Sequence, residues 1–375
     1  MITGDFDLSG IGTVTHIEDN RVYGWGHPFF SSGQCEFPLM TGYIHTIYPR
    51  QTVSFKMGSP LRTVGVINAD VSTCIAGWLN RKPNLVPMRM TMRCPGELCK
   101  TFNVQIARQR SLLPTLVYAA LTNSVDMEGE LPEELTAELE ARIEVEGHEP
   151  VVIKDVFSGS SYSGGRAPQA LYTQVSALVN LLMYNSYQPI QVKRIDCDTR
   201  ILPGRRTADI EAVELDSEIY SPGDTLRGTV FLRPFKGLRQ RLPVGLKLPA
   251  DLPEGNYTAM VTDDLSNARF DLRDNPNLSN PHDLEQVFAS LHLQTAAKRN
   301  NLVLRVPISA AGVALDGKSL PNLPPSMVQI LGQSRRTGAQ PMGGALVARE
   351  NTAWVIQGSE AVHFTVAKNK KMSGE

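Results

Sequence analysis

Gly10-Ile-Gly-Thr-Val-Thr-His-Ile-Glu-Asp-Asn-Arg-Val-Tyr-Gly-Trp-Gly-His-Pro-Phe-Phe30 sets the pattern for the first third of the chain. Thr13, Thr15 and Ile17 alternate with other residues, which predicts a strand over Gly12 to Ile17. Glu18-Asp-Asn-Arg21 is a polar connection of hairpin length, and Val22 to Trp25 returns as the second strand. Glycines on both sides of Trp25 let another backbone come close or let the strand bend sharply. Pro28 ends the ladder and biases His27 towards an extended conformation. An imidazole at such a strand end is placed for catalysis. An imidazole bonded to a backbone carbonyl is the simpler reading of the same residue.

Outward from that hairpin, residues 10 to 109 read as successive short strands with glycines at the bends, which suits a closed or nearly closed antiparallel β-barrel. Residues 111 to 125 then read as a helix packed against it. Leu131 to Glu146 is helical by composition, but Ala137, Leu139, Ala141, Ile143 and Val145 alternate with charged residues. Period outranks propensity, so a strand is expected, turning at Gly147 into Val151-Val-Ile153. Leu171, Val175, Leu178, Val179 and Leu182 recur at helical spacing, and Ile190 to Leu202 is a further strand. Beyond Pro203-Gly-Arg-Arg206, turn signals at ~8–12-residue spacing suggest an immunoglobulin-like β-sandwich. A helix from Asp283 to Lys298 should start at Asn280 or Pro281, with Leu284, Val287, Phe288 and Leu291 inward. The expected fold class is therefore mainly β. Its units are a barrel domain over 1–130, a hairpin plus helix extension over 131–203, and a β-sandwich region over 204–270. A helix and C-terminal hairpin over 271–367 and a disordered tail over 368–375 follow.

The chain has 375 residues and a formal net charge of −1. That length suits two or three domains at ~150 residues each. The near-neutral balance gives no argument for nucleic acid or an anionic membrane surface. No run of ~18 apolar residues is present, so no transmembrane segment is expected. The first residues lack the basic and apolar stretches of a signal peptide. Two readings of the start follow: a trimmed chain, or a start downstream of an export signal. Five cysteines are present. Cys94-Pro-Gly-Glu-Leu-Cys99 sits between two alternating segments, Val86 to Met92 and Phe102 to Ile106, so Cys94 and Cys99 should face each other across a hairpin end. A disulfide is geometrically feasible there and would suit an oxidising compartment; two free thiols or half a metal site are the competing readings. Metal-ligand spacing, a phosphate-binding loop and a dinucleotide fingerprint are not found, so no metal and no cofactor is expected.

Gly12-Thr-Val-Thr15 followed by Gly26-His-Pro-Phe29, then Glu36-Phe-Pro-Leu39, Gly58-Ser-Pro60 and Gly65-Val-Ile-Asn-Ala-Asp70, resembles the SpoIVB serine-peptidase family. The closer likeness is to the SpoIVB-peptidase-like domains of bacterial envelope proteins, and it covers roughly the first third of the chain. The resemblance implies a peptidase-like β-barrel with His27 in the general-base position and an extracytoplasmic location. Active members carry their nucleophile in a Gly-x-Ser-Gly-Ser-Pro stretch near the domain's end. Here the only echo is Met57-Gly-Ser-Pro60, with Met57 in place of the serine. Ser59 stays as a candidate nucleophile beside the plain reading of Gly-Ser-Pro as a turn, and Ser158 and Ser160 fare no better. Asp70 could orient a histidine, or simply belong to a hairpin turn. His16, His45 and Cys35 lack any ligand spacing. The expectation is a degenerate peptidase-like protein with a protein or peptide partner, its His27 ring held by backbone groups or by Trp25 or Phe29. The rival is an active serine endopeptidase with His27 as general base.

Overall fold

The computed structural model describes residues 1–94, 100–127, 131–161, 167–315, 317–321, 323–333 and 338–368. Strands hold 53% of the chain and helices 19%, the reverse of the globular average, so the class is mainly β.

The first 203 residues build two sheets. In chain order they comprise β1 (Ile2–Gly4), β2 (Val14–Glu18), β3 (Arg21–Gly24), β4 (Gly33–Tyr48), β5 (Phe55–Val71), β6 (Cys74–Leu79), β7 (Leu85–Arg93) and β8 (Lys100–Ala107). Helix α1 (Leu113–Asp126), β9 (Glu134–Val145), β10 (Val151–Ser160), α2 (Ala167–Tyr184) and β11 (Val192–Pro203) follow. One sheet runs β2-β3-β6-β5-β4, curled like half a barrel. It has two edges, so the closed barrel expected over 10–109 does not form as one body. Its expected last strands, β7 and β8, instead join β1, β11, β9 and β10 in a six-stranded sheet. The reason lies in their burial. Val86, Met88, Met90 and Met92 of β7, Val104 and Ile106 of β8, and Ala137, Leu139, Ala141 and Ile143 of β9 share one apolar face. Helices α1 and α2 cover it with Leu116, Val117, Leu171, Val175 and Leu178. The 131–203 stretch is thus part of this sheet rather than an appendage, with β11 lying parallel to β7 and antiparallel to β9.

The remainder contains β12 (Thr207–Leu215), β13 (Ile219–Tyr220), β14 (Thr225–Pro234), β15 (Gln240–Lys247), β16 (Gly255–Asp263), α3 (Asp264–Asp274), α4 (Pro276–Ser279) and α5 (Leu284–Ala296). It ends with β17 (Asn301–Leu315), β18 (Lys318–Pro321), α6 (Pro325–Gln333), β19 (Gln340–Asn351), β20 (Val355–Gln357) and β21 (Ser359–Val366). The sheet β15-β14-β12-β20 faces β13-β21-β16-β17-β18, to which β19 adds beside β17. Leu226, Val230 and Leu246 from one sheet share a core with Val261, Leu304 and Phe364 from the other, which makes a β-sandwich. It draws on strands up to residue 366, well past the 204–270 region expected to hold it. Helix α5 is capped by Asp283, whose carboxylate accepts from the Gln286 amide at 2.8 Å, so its start lies beyond Asn280 and Pro281. Its Val287 and Leu291 pack into the first unit's core, not the sandwich.

Cys99 lies outside the described residues, as do residues 162–165 of the serine loop, Arg335, Arg336 and residues 369–375 of the tail.

Candidate functional site

The motif residues quoted above meet at one corner of the curled sheet. Trp25 and Gly26 both take left-handed backbone, φ +72° and +67°, and this turns the chain out of β3. A non-glycine residue there costs ~1–2 kcal/mol, and close packing of the indole holds it. A Cβ at Gly12 would fall 1.7 Å from the Trp25 ring nitrogen, and one at Gly10 within 3 Å of both Trp25 and Phe29. Gly10-Ile-Gly12 is therefore the floor on which the two rings lie, their centroids 4.8 Å apart and edge to face. The first and second halves of the motif are partners in packing.

Asp70, at the end of β5, fixes the next turn. Its carboxylate accepts hydrogen bonds from the backbone amides of Phe29 at 2.6 Å, Phe30 at 2.8 Å and Ser32 at 3.0 Å. The side chain is fully buried. Burial pushes its carboxyl up, but the Phe29, Ser32 and Phe30 amides outweigh that and hold it below the usual carboxylate range. Asp70 orients no histidine; it holds the loop that follows one.

His27 projects from this corner and is exposed. Its Nδ1–H donates to the Pro28 carbonyl oxygen at 2.7 Å, and its ring lies 5.6 Å from that of Trp25. Among the described residues this is the only hydrogen bond the ring makes. With Nδ1 protonated, Nε2 keeps its lone pair and could take a proton. Among the described residues no hydroxyl is hydrogen-bonded to it. His27 lines an open groove of about 730 Å³ between residues 7–15 and 54–58, whose own serines are Ser9 and Ser54. Ser9 Oγ donates to Asp7 at 3.0 Å, and Ser54 Oγ accepts from the Arg50 amide at 3.2 Å. Lys56 Nζ reaches across to Thr13 Oγ1 at 2.7 Å. Behind the groove a smaller cavity of about 270 Å³ opens into the curl, lined by Trp25, Phe29, Phe37, Leu39, Ile67 and Ile75 among others.

Ser59 is not beside His27. It meets His45, whose Nε2 lies 2.8 Å from Ser59 Oγ on the exposed outer part of the β4–β5 hairpin. His45 is the extra residue of the bulge between Ile44 and Thr46, so counting residues along the sequence could not have found the pair. Ser158 is buried, bonded to Thr136 Oγ1 at 2.9 Å and to the Arg206 amide at 2.6 Å, and serves as a clamp between the two units. His16 stacks on Tyr23. Burial, with Asp70 nearby, pushes the Cys35 thiol up to about 12, which removes it as a ligand or nucleophile near neutrality. Among the described residues no three His, Cys, Asp or Glu side chains gather as a metal site would need.

No family model, no curated protein and no solved structure matches the chain.

Proposed function

We propose that this is a SpoIVB-peptidase-like protein of the bacterial cell envelope, catalytically silent at His27, that binds a protein or peptide partner. The reading is supported above all by the environment of His27. General-base catalysis needs a hydroxyl within ~2.6–3.2 Å of the imidazole, or somewhat further without substrate. His27 instead has the Pro28 carbonyl, and among the described residues no hydroxyl is hydrogen-bonded to its ring. The groove itself is open, and its lining combines apolar side chains (Ile11, Trp25, Phe55, Met57) with polar ones (Thr13, Thr15, Lys56), which suits an extended polypeptide. The extracytoplasmic location rests on the family resemblance.

The experiment pairs activity with binding on the full chain. A fluorophosphonate probe should leave the wild type unlabelled, and casein should stay uncut. Dye-labelled casein should nevertheless gain anisotropy with the wild type and lose that gain in Thr15→Trp, which fills the groove. Casein cleavage that vanishes in a folded His27→Ala variant would turn the assignment to the active endopeptidase.

One observation favours that rival in another form, the 2.8 Å contact between His45 and Ser59. Against it, His45 is exposed, and among the described residues its ring has no hydrogen bond to a carboxylate that would orient it. Probe labelling abolished by Ser59→Ala would establish it.

A further inference from the structure

The outer halves of β4 and β5 form an arm whose residues 54–58 make one wall of the groove and whose remaining surface, with the tip, projects beyond it. β6 pairs with β5 only from Gly65 onward, whereas β4 and β5 continue to pair with each other out to Tyr48 and Phe55. At ~3.3 Å per residue the paired part beyond Gly42 and Pro60 is about 20 Å long. A strand covering a protein core shows one apolar face. This arm shows two. Tyr43, Tyr48, Met57 and Phe55 are exposed on one face and Ile44 and Ile47 on the other, and at the tip Val53 is 73% exposed. A contiguous apolar surface of this kind marks an interaction site.

The charges on the arm are all of one sign. Arg50 and Lys56 lie on it, Arg62 stands at its base, and no Asp or Glu occurs from Phe37 to Ala69. The whole-chain charge of −1 averages this run away. Arg50 rests its guanidinium over the rings of Tyr48 and Phe55, 5.5 Å from each centroid. The cation therefore sits level with the aromatic rings near the tip, which also carries Val53.

We infer that the arm inserts its tip into the headgroup region of an anionic lipid surface. Apolar side chains on both faces, with aromatics and basic residues set along the hairpin, are satisfied by a medium that surrounds the arm. A protein partner would cover one face and leave the other in water. Lys and Arg near an anionic leaflet contribute attraction that adds to apolar burial, and their long stems let the charges stay at the headgroups. No helix among the described residues is long and apolar enough to cross a bilayer.

Co-sedimentation of the full chain with vesicles tests this, using phosphatidylcholine alone and an equimolar mixture with phosphatidylglycerol. Binding should be about tenfold or more stronger to the anionic vesicles and should weaken as salt is added. Val53→Ser with Phe55→Ser should abolish it, and Arg50→Glu with Lys56→Glu should lower it by about tenfold or more, with both proteins melting like the wild type. Val53→Trp should gain a blue-shifted emission on anionic vesicles that the wild type lacks. Absence of vesicle binding would overturn the proposal, as would equal binding by the Val53/Phe55 variant. Self-association in solution that Val53→Ser abolishes, without vesicle binding, would assign the arm to a second copy of the chain instead.

Discussion

The inner and outer halves of β4 and β5 belong to the same two strands and obey opposite rules. In the inner half, Cys35 and Phe37 of β4 and Val66 and Ile67 of β5 are buried, and β6 supplies a second hydrogen-bonded neighbour for β5. In the outer half the same ladder continues with apolar side chains exposed on both faces, met only by the 7–15 segment across the groove at residues 56–58. Backbone pairing is thus indifferent to burial here, and stability and function have been assigned to different lengths of one hairpin. The inner half, with the Trp25 corner, should be intolerant of change. The outer half should be nearly silent in a melt.

The largest effect is expected at Asp70. Replacing it by alanine leaves the Phe29, Phe30 and Ser32 amides without their acceptor, at a cost of ~3 kcal/mol or more. Denaturant titration of wild type and Asp70→Ala gives the number, and a change below ~1 kcal/mol would mean that water replaces the carboxylate. The same residue sets a pH dependence. Its folded carboxyl is held low, so the unfolded chain takes up the proton first as pH falls. Its contribution is complete above the ordinary aspartate value of ~3.9 and is lost as pH drops through the lower folded value. The gap in melting temperature between wild type and Asp70→Asn should therefore narrow in acid and stay constant near neutrality.

Gly12→Ala comes next. The new methyl would meet the Trp25 ring at 1.7 Å, and the ring is backed by Phe29, so the corner must shift. Overpacking of this kind costs ~1–3 kcal/mol. A tryptophan emission change should accompany the lower melting temperature. A neutral substitution would show that the indole can swing clear, and the corner would then be less rigid than its geometry.

Alternation made much of the buried part readable in advance. Ala137, Leu139, Ala141, Ile143 and Val145 predict a strand against their helical composition, and β9 is that strand. The strands of the outer arm were legible but its exposure was not: with apolar residues on both faces, no period tells in from out. Helix α3 escaped because its start is a cap, Asp263 accepting from the Ser266 amide at 2.9 Å, directly after a strand and with few apolar residues behind it. The side-chain environment of His27 could be anticipated, since Trp25 and Pro28 adjoin it in sequence. Asp70 could not, because 41 residues separate it from Phe29 and only folding brings its carboxylate under that loop. Nor does any sequence pattern reveal that α5, flanked by sandwich strands, packs its Val287 and Leu291 on the other core.

His27 tests the border between the two regimes. It adjoins the corner, yet its ring is exposed and its bond runs to the carbonyl of the next residue. Water can replace the ring there, so His27→Ala should cost ~0.5 kcal/mol or less, smaller than a buried imidazole would imply. Loss of several kcal/mol would place the ring within the packed corner.

The smallest effect belongs to the arm. Ile47 and Val53 are 60% and 73% exposed, so replacing both by threonine removes little buried surface and keeps the β-branching that suits a strand. Surface substitutions away from caps, cavities and buried networks change stability by no more than ~0.5 kcal/mol. Ile47→Thr with Val53→Thr should accordingly melt with the wild type, and a calorimetric scan at several protein concentrations is the check. A lower melting temperature at every concentration would mean that the arm folds back on the body in solution. A difference that grows with concentration would instead reveal an association that the arm supports. Coincident melts, beside the losses at Asp70 and Gly12, would establish that one hairpin keeps its stability in its inner half and leaves its outer half free for contact.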